Sequence, residues 1–103
     1  MEGANQQSSA ELEQLAKLLS ALGHPVRLRI VQGLLSGECF VGNMVECLDL
    51  PQPLVSRHLA VLREAGIVDV EPDGRKRRYR VCHPCVSALL RCLVDKQSAG
   101  RAA

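Results

Sequence analysis

Aromatic residues are almost absent from this chain, which has one phenylalanine, one tyrosine and no tryptophan among its 103 residues. Apolar residues nevertheless make up 47% of the sequence, so we expect a core built from aliphatic side chains. The length allows one domain and no second one. Because a chain this small buries a modest share of its surface, it favours a dimer that adds shared core.

Other absences narrow the class of protein. No apolar run approaches the ~20 residues of a membrane span, and the polar start MEGANQQSSAE does not resemble a signal peptide. We therefore expect a cytoplasmic protein with no membrane partner. The sequence contains no acid–base pair, glycine loop or nucleophile elbow, so we do not expect an enzyme. In a cytosolic chain, five cysteines argue against a disulfide framework and for metal binding or thiol chemistry.

The most informative stretch is residues 52–81, QPLVSRHLAVLREAGIVDVEPDGRKRRYRV. Spacing of i, i+4 and i+7 predicts a helix whose apolar face is formed by Val55, Leu59 and Leu62. Gly66 is predicted to end this helix in the left-handed conformation, with Ile67 packed back onto Leu62. A DNA-reading role in the major groove is predicted for side chains on the outer face, namely Gln52, Ser56, Arg57 and His58.

A strongly basic hairpin follows this helix, with its turn predicted at Asp73-Gly74. Five cations occur within six residues: Arg75, Lys76, Arg77, Arg78 and Arg80. A tight two-residue turn there would place Glu71 opposite Lys76 and Asp69 opposite Arg78, which neutralises part of the charge. Residues 52–81 still hold seven Lys or Arg against four Asp or Glu, whereas the rest of the chain holds six against seven. This local surplus favours phosphate contacts, which we assign to Arg75, Lys76 and Arg77.

The whole chain is predicted to contain five helices and one hairpin. We expect a mostly α fold with a small β-hairpin, a winged helix-turn-helix of order ααααββα. Residues 10–96 would form this domain, between a disordered leader at 1–9 and a frayed tail at 97–103. The first and last helices are more apolar than a monomer needs, so we expect a homodimer through them. Such a dimer would present two recognition helices to successive major grooves of operator DNA, about 34 Å apart.

Three stretches together resemble the ArsR/SmtB family of winged-helix repressors: ALGHPVRLRIV, QPLVSRHLAVLREAGIV and GRKRRYRV. The resemblance covers roughly residues 12–95. It implies a homodimer that binds operator DNA and releases it when a metal ion, metalloid or oxidant reacts with its sensing residues. It also implies that Ser56, Arg57 and His58 contact bases and backbone.

The sensing residues depart from the patterns of that family. Its arsenic- and cadmium-sensing branch carries a CVCDLC-type motif on the third helix, where this chain has CFVGNMVEC. The motif's cysteines fall on residues that are not ligands, Phe40, Gly42 and Val45. We expect Cys39 to be an exposed thiol and Cys47 to be partly buried. The two residues lie about 12 Å apart along a helix and therefore cannot share one ion. The zinc-sensing branch uses four positions that hold His83, Cys85, Lys96 and Ala99 here, an incomplete set.

The remaining candidates are Cys82, Cys85 and Cys92. Cys92 follows Cys85 by seven residues, about 10.5 Å along a helix, whereas the sulfurs that ligate one ion lie within about 4 Å of each other. The partner subunit's Cys92 can complete the site if the last helices pack antiparallel. We therefore hypothesise two three-thiolate sites per dimer that take arsenite or another thiophilic ion as inducer, with no obligatory cofactor.

Other interpretations of these residues stay open. Cys92 could be a packed core residue, and His83 could act only as a helix cap. CHPC could instead form a disulfide, which would make the protein a redox or reactive-sulfur sensor. A winged helix that binds another protein is a further alternative, which the basic hairpin argues against.

Overall fold

The computed structural model describes residues 8–37 and 40–102, with side chains as far as Asp95. Its elements follow the predicted order ααααββα: α1 Ser9–Leu22, α2 Pro25–Leu35, α3 Val41–Leu48, α4 Gln52–Glu64, β1 Val68–Asp73, β2 Lys76–Val81 and α5 Pro84–Ala102. The backbone of α5 stays helical through the region expected to be a frayed tail, as far as Ala102. Residues 1–7 of the expected leader lie outside the described part.

Side-chain caps determine where the first two helices begin. The Ser8 hydroxyl accepts a hydrogen bond from the Glu11 amide, and the Glu11 carboxylate accepts one from the Ser8 amide, which satisfies two amides at the start of α1. These bonds also lower the pKa of Glu11. His24 begins α2 in the same way, because its Nδ1 accepts from the Val26 amide at 3.1 Å just before Pro25 at a favoured first position.

The helix-turn-helix consists of α3 and α4, and a left-handed residue separates them. Asp49 ends α3 with φ 55°, and Pro51 precedes α4. At the far end of α4, Gly66 has φ 80°. Its amide donates to the Arg63 carbonyl and the Ile67 amide donates to the Leu62 carbonyl, both at 3.0 Å. This is the predicted Schellman ending, and Ile67 and Leu62 are both fully buried.

The wing is an antiparallel hairpin whose register differs from the prediction by two residues. Asp73 opposes Lys76, so the two turn residues are Gly74 and Arg75 rather than Asp73 and Gly74. Gly74 has φ 65°, the positive φ that a type II′ turn requires at its first central position. As a result Glu71 opposes Arg78, and Asp69 opposes Arg80.

An aliphatic core joins all the elements, as the composition predicts. Its largest fully enclosed side chains come from every helix except α1 and from the start of the wing: Ile30, Val31, Met44, Val55, Leu59, Leu62, Ile67, Val68 and Val86. Several large apolar side chains of α1 and α5 remain about half exposed, including Leu12, Leu15, Leu19 and Leu93. Among residues 8–37 and 40–102, no helix has both the length and the apolar character to cross a membrane.

Candidate nucleic-acid interface and sensor thiols

The outer face of α4 presents three of the four predicted reading residues to solvent. Gln52, Ser56 and Arg57 are exposed, because the buried residues of α4 occupy the opposite stripe of the helix. The Gln52 amide carries the donor and acceptor that recognise an adenine edge in the major groove, and the Arg57 guanidinium carries the paired donors that recognise a guanine edge. The helix therefore offers a short polar surface of the kind that reads base pairs.

His58 lies on the inner face of α4, so its predicted place on the outer face is wrong. Its side chain is 8% exposed, and its ring centroid lies 4.7 Å from that of His24. The Arg27 guanidinium approaches the His58 Nδ1 at 3.5 Å and donates to the Ala21 carbonyl at 2.7 Å. His58 thus packs α4 against the start of α2 and cannot reach a base edge from this position.

These surroundings lower the pKa of His58. Burial is the largest cause, and electrostatic interactions with His24, Arg27 and Arg57 add to it. Since Arg27 can only donate a hydrogen bond, the His58 Nδ1 that faces it is suited to the neutral, accepting form. Burial and these neighbours therefore favour the neutral form of His58 where α4 packs against the start of α2.

A cleft of about 980 Å³ separates α4 from the wing. Five of the seven predicted DNA-contact residues line it: Gln52, Ser56, Arg75, Lys76 and Arg77. Arg63 adds a further cation to the lining, and Glu46 and Glu64 add carboxylates. The tertiary fold thus brings two polar positions of α4 and three wing cations to one concave surface.

The five wing cations divide into paired and unpaired groups. Arg80 binds Asp69 through two hydrogen bonds of 2.8 and 3.3 Å, and this pairing lowers the pKa of Asp69 and raises that of Arg80. Arg78 pairs with Asp73 at 3.0 Å. Within the described residues, no carboxylate pairs with the three wing cations that line the cleft, Arg75, Lys76 and Arg77.

Phe40 is a functional candidate that the sequence reasoning missed. It precedes α3, yet it forms an isolated antiparallel bridge with Arg78 of the wing and lines the cleft. The Lys76 Nζ lies 5.2 Å from its ring centroid, and the Arg78 Cζ lies 5.9 Å from it. The only signal in the sequence was that phenylalanine occurs once, because the contact with the distant cationic strand depends on a long-range bridge.

Cys82, one of the three predicted sensor thiols, lies where the wing meets the end of α4. Cys82 ends the wing, where its amide donates to the Ile67 carbonyl at 2.9 Å and its thiol contacts the Gly66 carbonyl at 3.5 Å. Cys82, Cys85 and Cys92 are free and exposed. Over the described part of the chain, no three His, Cys, Asp or Glu side chains converge as a metal site within one subunit.

Three interpretations of individual residues need correction. Cys92 is exposed, so it is not a packed core residue. Cys47 is also exposed rather than partly buried. The His83 side chain does not cap α5, since its buried Nδ1 has no hydrogen-bond partner among the described atoms. Cys39 lies outside the described residues.

Comparison with known proteins gives the class of regulator. The family model described as "Bacterial regulatory protein, arsR family" matches residues 24–70, from the start of α2 into β1. The Agrobacterium fabrum "Biofilm growth-associated repressor" is 40% identical over 80 residues, which are 78% of this chain and 68% of that protein. The chain belongs to the ArsR/SmtB family of winged-helix transcriptional repressors.

Two further relatives agree with this membership. The Streptomyces lividans "Probable mercury resistance operon repressor" is 39% identical over 87 residues, 82% of this chain and 70% of that protein. The homodimeric winged helix-turn-helix domain of Mb0332 from Mycobacterium bovis superposes with a TM-score of 0.78 at 28% identity, over 89% of this chain and 91% of that one. As a member of this family, the present chain is a DNA-binding regulator and not an enzyme.

Proposed function

We propose that the protein is a homodimeric repressor that releases its operator when a thiophilic ion, arsenite in the first place, binds Cys82 and Cys85 of one subunit and the partner subunit's Cys92. In the DNA-bound form, Gln52, Ser56 and Arg57 contact bases and neighbouring backbone. Arg75, Lys76 and Arg77 neutralise flanking phosphates.

Exposed apolar surface supports the homodimer. Leu12, Leu15 and Leu19 of α1 recur at helical spacing and are each about half exposed, as is Leu93 of α5. Such stripes bury their area only against another apolar surface. The Mycobacterium bovis relative is homodimeric, and for this protein we place the interface on α1 and α5.

The observation that carries the sensor assignment is the common exposed face of Cys85 and Cys92. The two residues are seven apart on α5 and both are exposed, so they lie on the same side of the helix. Leu89 lies between them and is 36% exposed. If two α5 helices cross antiparallel at Leu89, each Cys85 meets the partner subunit's Cys92. This arrangement supplies the third thiolate that a single subunit does not bring together.

Three thiolates match the chemistry of arsenite. Arsenous acid exchanges its three hydroxyl groups for three sulfur ligands, and the three thiol protons leave with them as three waters. No change of oxidation state is needed. The Streptomyces lividans relative is named for mercury resistance, and mercury is also an ion that prefers soft sulfur ligands.

An ion bound at these thiols would act on the DNA-binding surface of the protein through Cys82. Its backbone amide and its thiol contact the carbonyls of Ile67 and Gly66, which form the joint between α4 and β1. Drawing the Cys82 sulfur towards an ion therefore pulls on the end of the wing and on the end of the recognition helix together. A shift of either element would open the cleft that holds DNA.

DNA release, measured by fluorescence anisotropy on a duplex selected from a random pool, tests the proposal. Arsenite, antimonite, cadmium, zinc and a mild oxidant are compared. Replacing Cys82, Cys85 or Cys92 by serine should preserve DNA affinity and abolish release by arsenite, while Cys47→Ser, an exposed-thiol control, should release normally. Release by the oxidant alone would favour a CHPC disulfide sensor instead.

Mixed dimers test the sharing of the site between subunits. A Cys92→Ser subunit paired with a Cys82→Ser, Cys85→Ser subunit rebuilds one complete shared site, although neither homodimer has any. Recovery of arsenite binding at one ion per mixed dimer is expected. No recovery, or retained arsenite release by the Cys92→Ser homodimer, would contradict the shared site.

A further inference from the structure

Phe40 connects the helix-turn-helix to the wing through two separate contacts. Its backbone bridges to Arg78 in β2. Its half-buried ring lies near the cations of Lys76 and Arg78, at 5.2 and 5.9 Å. Both distances are within the ~6 Å over which a cation is attracted to the negative face of an aromatic ring.

We propose that Phe40 is a positioning residue for DNA binding, whose ring holds the Lys76 ammonium in the cleft where a phosphate is bound. The inference rests on the proposed contact between the wing and DNA. It adds that the direction of this contact is determined by an aromatic residue outside both α4 and the hairpin.

Lys76 is the cation for which the ring matters most. Arg78 is already held by Asp73 at 3.0 Å, whereas Lys76 has no carboxylate partner among the described residues. A lysine side chain samples many rotamers, so an unrestrained Lys76 would lose much of this conformational entropy on meeting a phosphate. Contact with Phe40 restricts the side chain before DNA arrives, which lowers the cost of binding.

The backbone bridge and the ring contact can be separated by mutation. Phe40→Leu keeps an apolar side chain and the backbone bridge to Arg78, but it has no aromatic face. Phe40→Met does the same with a more flexible side chain and serves if leucine is not accommodated. Phe40→Tyr keeps the ring. A role in packing alone predicts similar behaviour of all three variants, whereas the cation–ring contact predicts that only Phe40→Tyr behaves as the unmodified protein.

The test measures affinity for one duplex, selected from a random pool by the unmodified protein, across 50–300 mM salt. Phe40→Leu and Phe40→Met should bind about five- to thirtyfold more weakly, because the homodimer loses two exposed cation–ring contacts of ~0.5–1 kcal/mol each. Phe40→Tyr should stay within twofold of the unmodified protein. In a Lys76→Gln background, Phe40→Leu should cause little further loss, because the two residues act through one contact.

Each failure has a separate meaning. If Lys76→Gln leaves affinity and its salt dependence unchanged, the proposed wing contact is wrong and the role of Phe40 falls with it. If Lys76→Gln weakens binding but Phe40→Leu and Phe40→Met do not, the positioning role alone is refuted. An equal loss from Phe40→Leu with and without Lys76 would also refute it.

Discussion

Arg77→Gln is the substitution that most directly tests which wing charges reach DNA. Arg77 is exposed, lines the cleft and forms no ion pair with a described carboxylate. Its charge is therefore available for a phosphate. A homodimer carries two copies of this residue, so the substitution removes two cations from the complex with DNA.

The expected size of the effect follows from counterion release. Each phosphate contact contributes about −0.9 to the slope of log affinity against log salt concentration. Losing two contacts should reduce the steepness of that slope by about 1.8. Between 50 and 200 mM salt, the affinity of Arg77→Gln should then fall about twelvefold less than that of the unmodified protein.

Arg80→Gln is the matched control. It deletes the same charge from the same strand, but Arg80 is held by Asp69 through two hydrogen bonds and does not line the cleft. Its salt slope should stay close to that of the unmodified protein. Fluorescence anisotropy titrations at four salt concentrations measure both slopes. Equal slopes for the two variants would refute the division of the wing into DNA-facing and paired cations.

Two further predictions concern stability. The folded state lowers the pKa of His58, so as pH falls the His58 imidazole takes up a proton in the unfolded chain before it does so in the folded one. The contribution of His58 to the free energy of unfolding should therefore be full above about pH 6.5 and decline below it. Urea midpoints at pH 7.5 and 5.5 should show this decline, and a His58→Gln variant with the same pH dependence would contradict it. Gly66→Ala should lower the free energy of unfolding in urea by about 1–2 kcal/mol. This cost comes from the backbone, since φ is 80° at Gly66 and no atom lies close to an added Cβ. An unchanged urea midpoint would show that the helix end adapts.

Local chemistry made much of the fold predictable. The Schellman ending of α4 depends on hydrogen bonds between residues at most five apart, from Leu62 to Ile67, so glycine at position 66 was sufficient to locate it. The break at His24-Pro25 is equally local. The exposed polar face of α4 followed from the spacing of Val55, Leu59 and Leu62.

The prediction placed His58 on the outer face of α4, although the helical spacing of the buried residues puts position 58 on the inner face. Val55, His58, Leu59 and Leu62 lie at i, i+3, i+4 and i+7, and all four are buried. The helical spacing alone places position 58 inside. Whether a histidine can occupy that position depends on partners 31 and 34 residues away, Arg27 and His24, which only the packing of α2 against α4 provides.

The sequence by itself determined the element order, the aliphatic core and the charge surplus of residues 52–81, since composition and short-range spacing are sufficient for these. Tertiary structure decided which of the wing cations remain available. The turn at Gly74-Arg75 places Asp69 opposite Arg80, which pairs with it, and the bridge to Arg78 brings Phe40 beside the wing, where its ring lies near Lys76 at the cleft. Register and bridging depend on hydrogen bonds between distant segments, and a shift of two residues changes every charge pair without changing the composition.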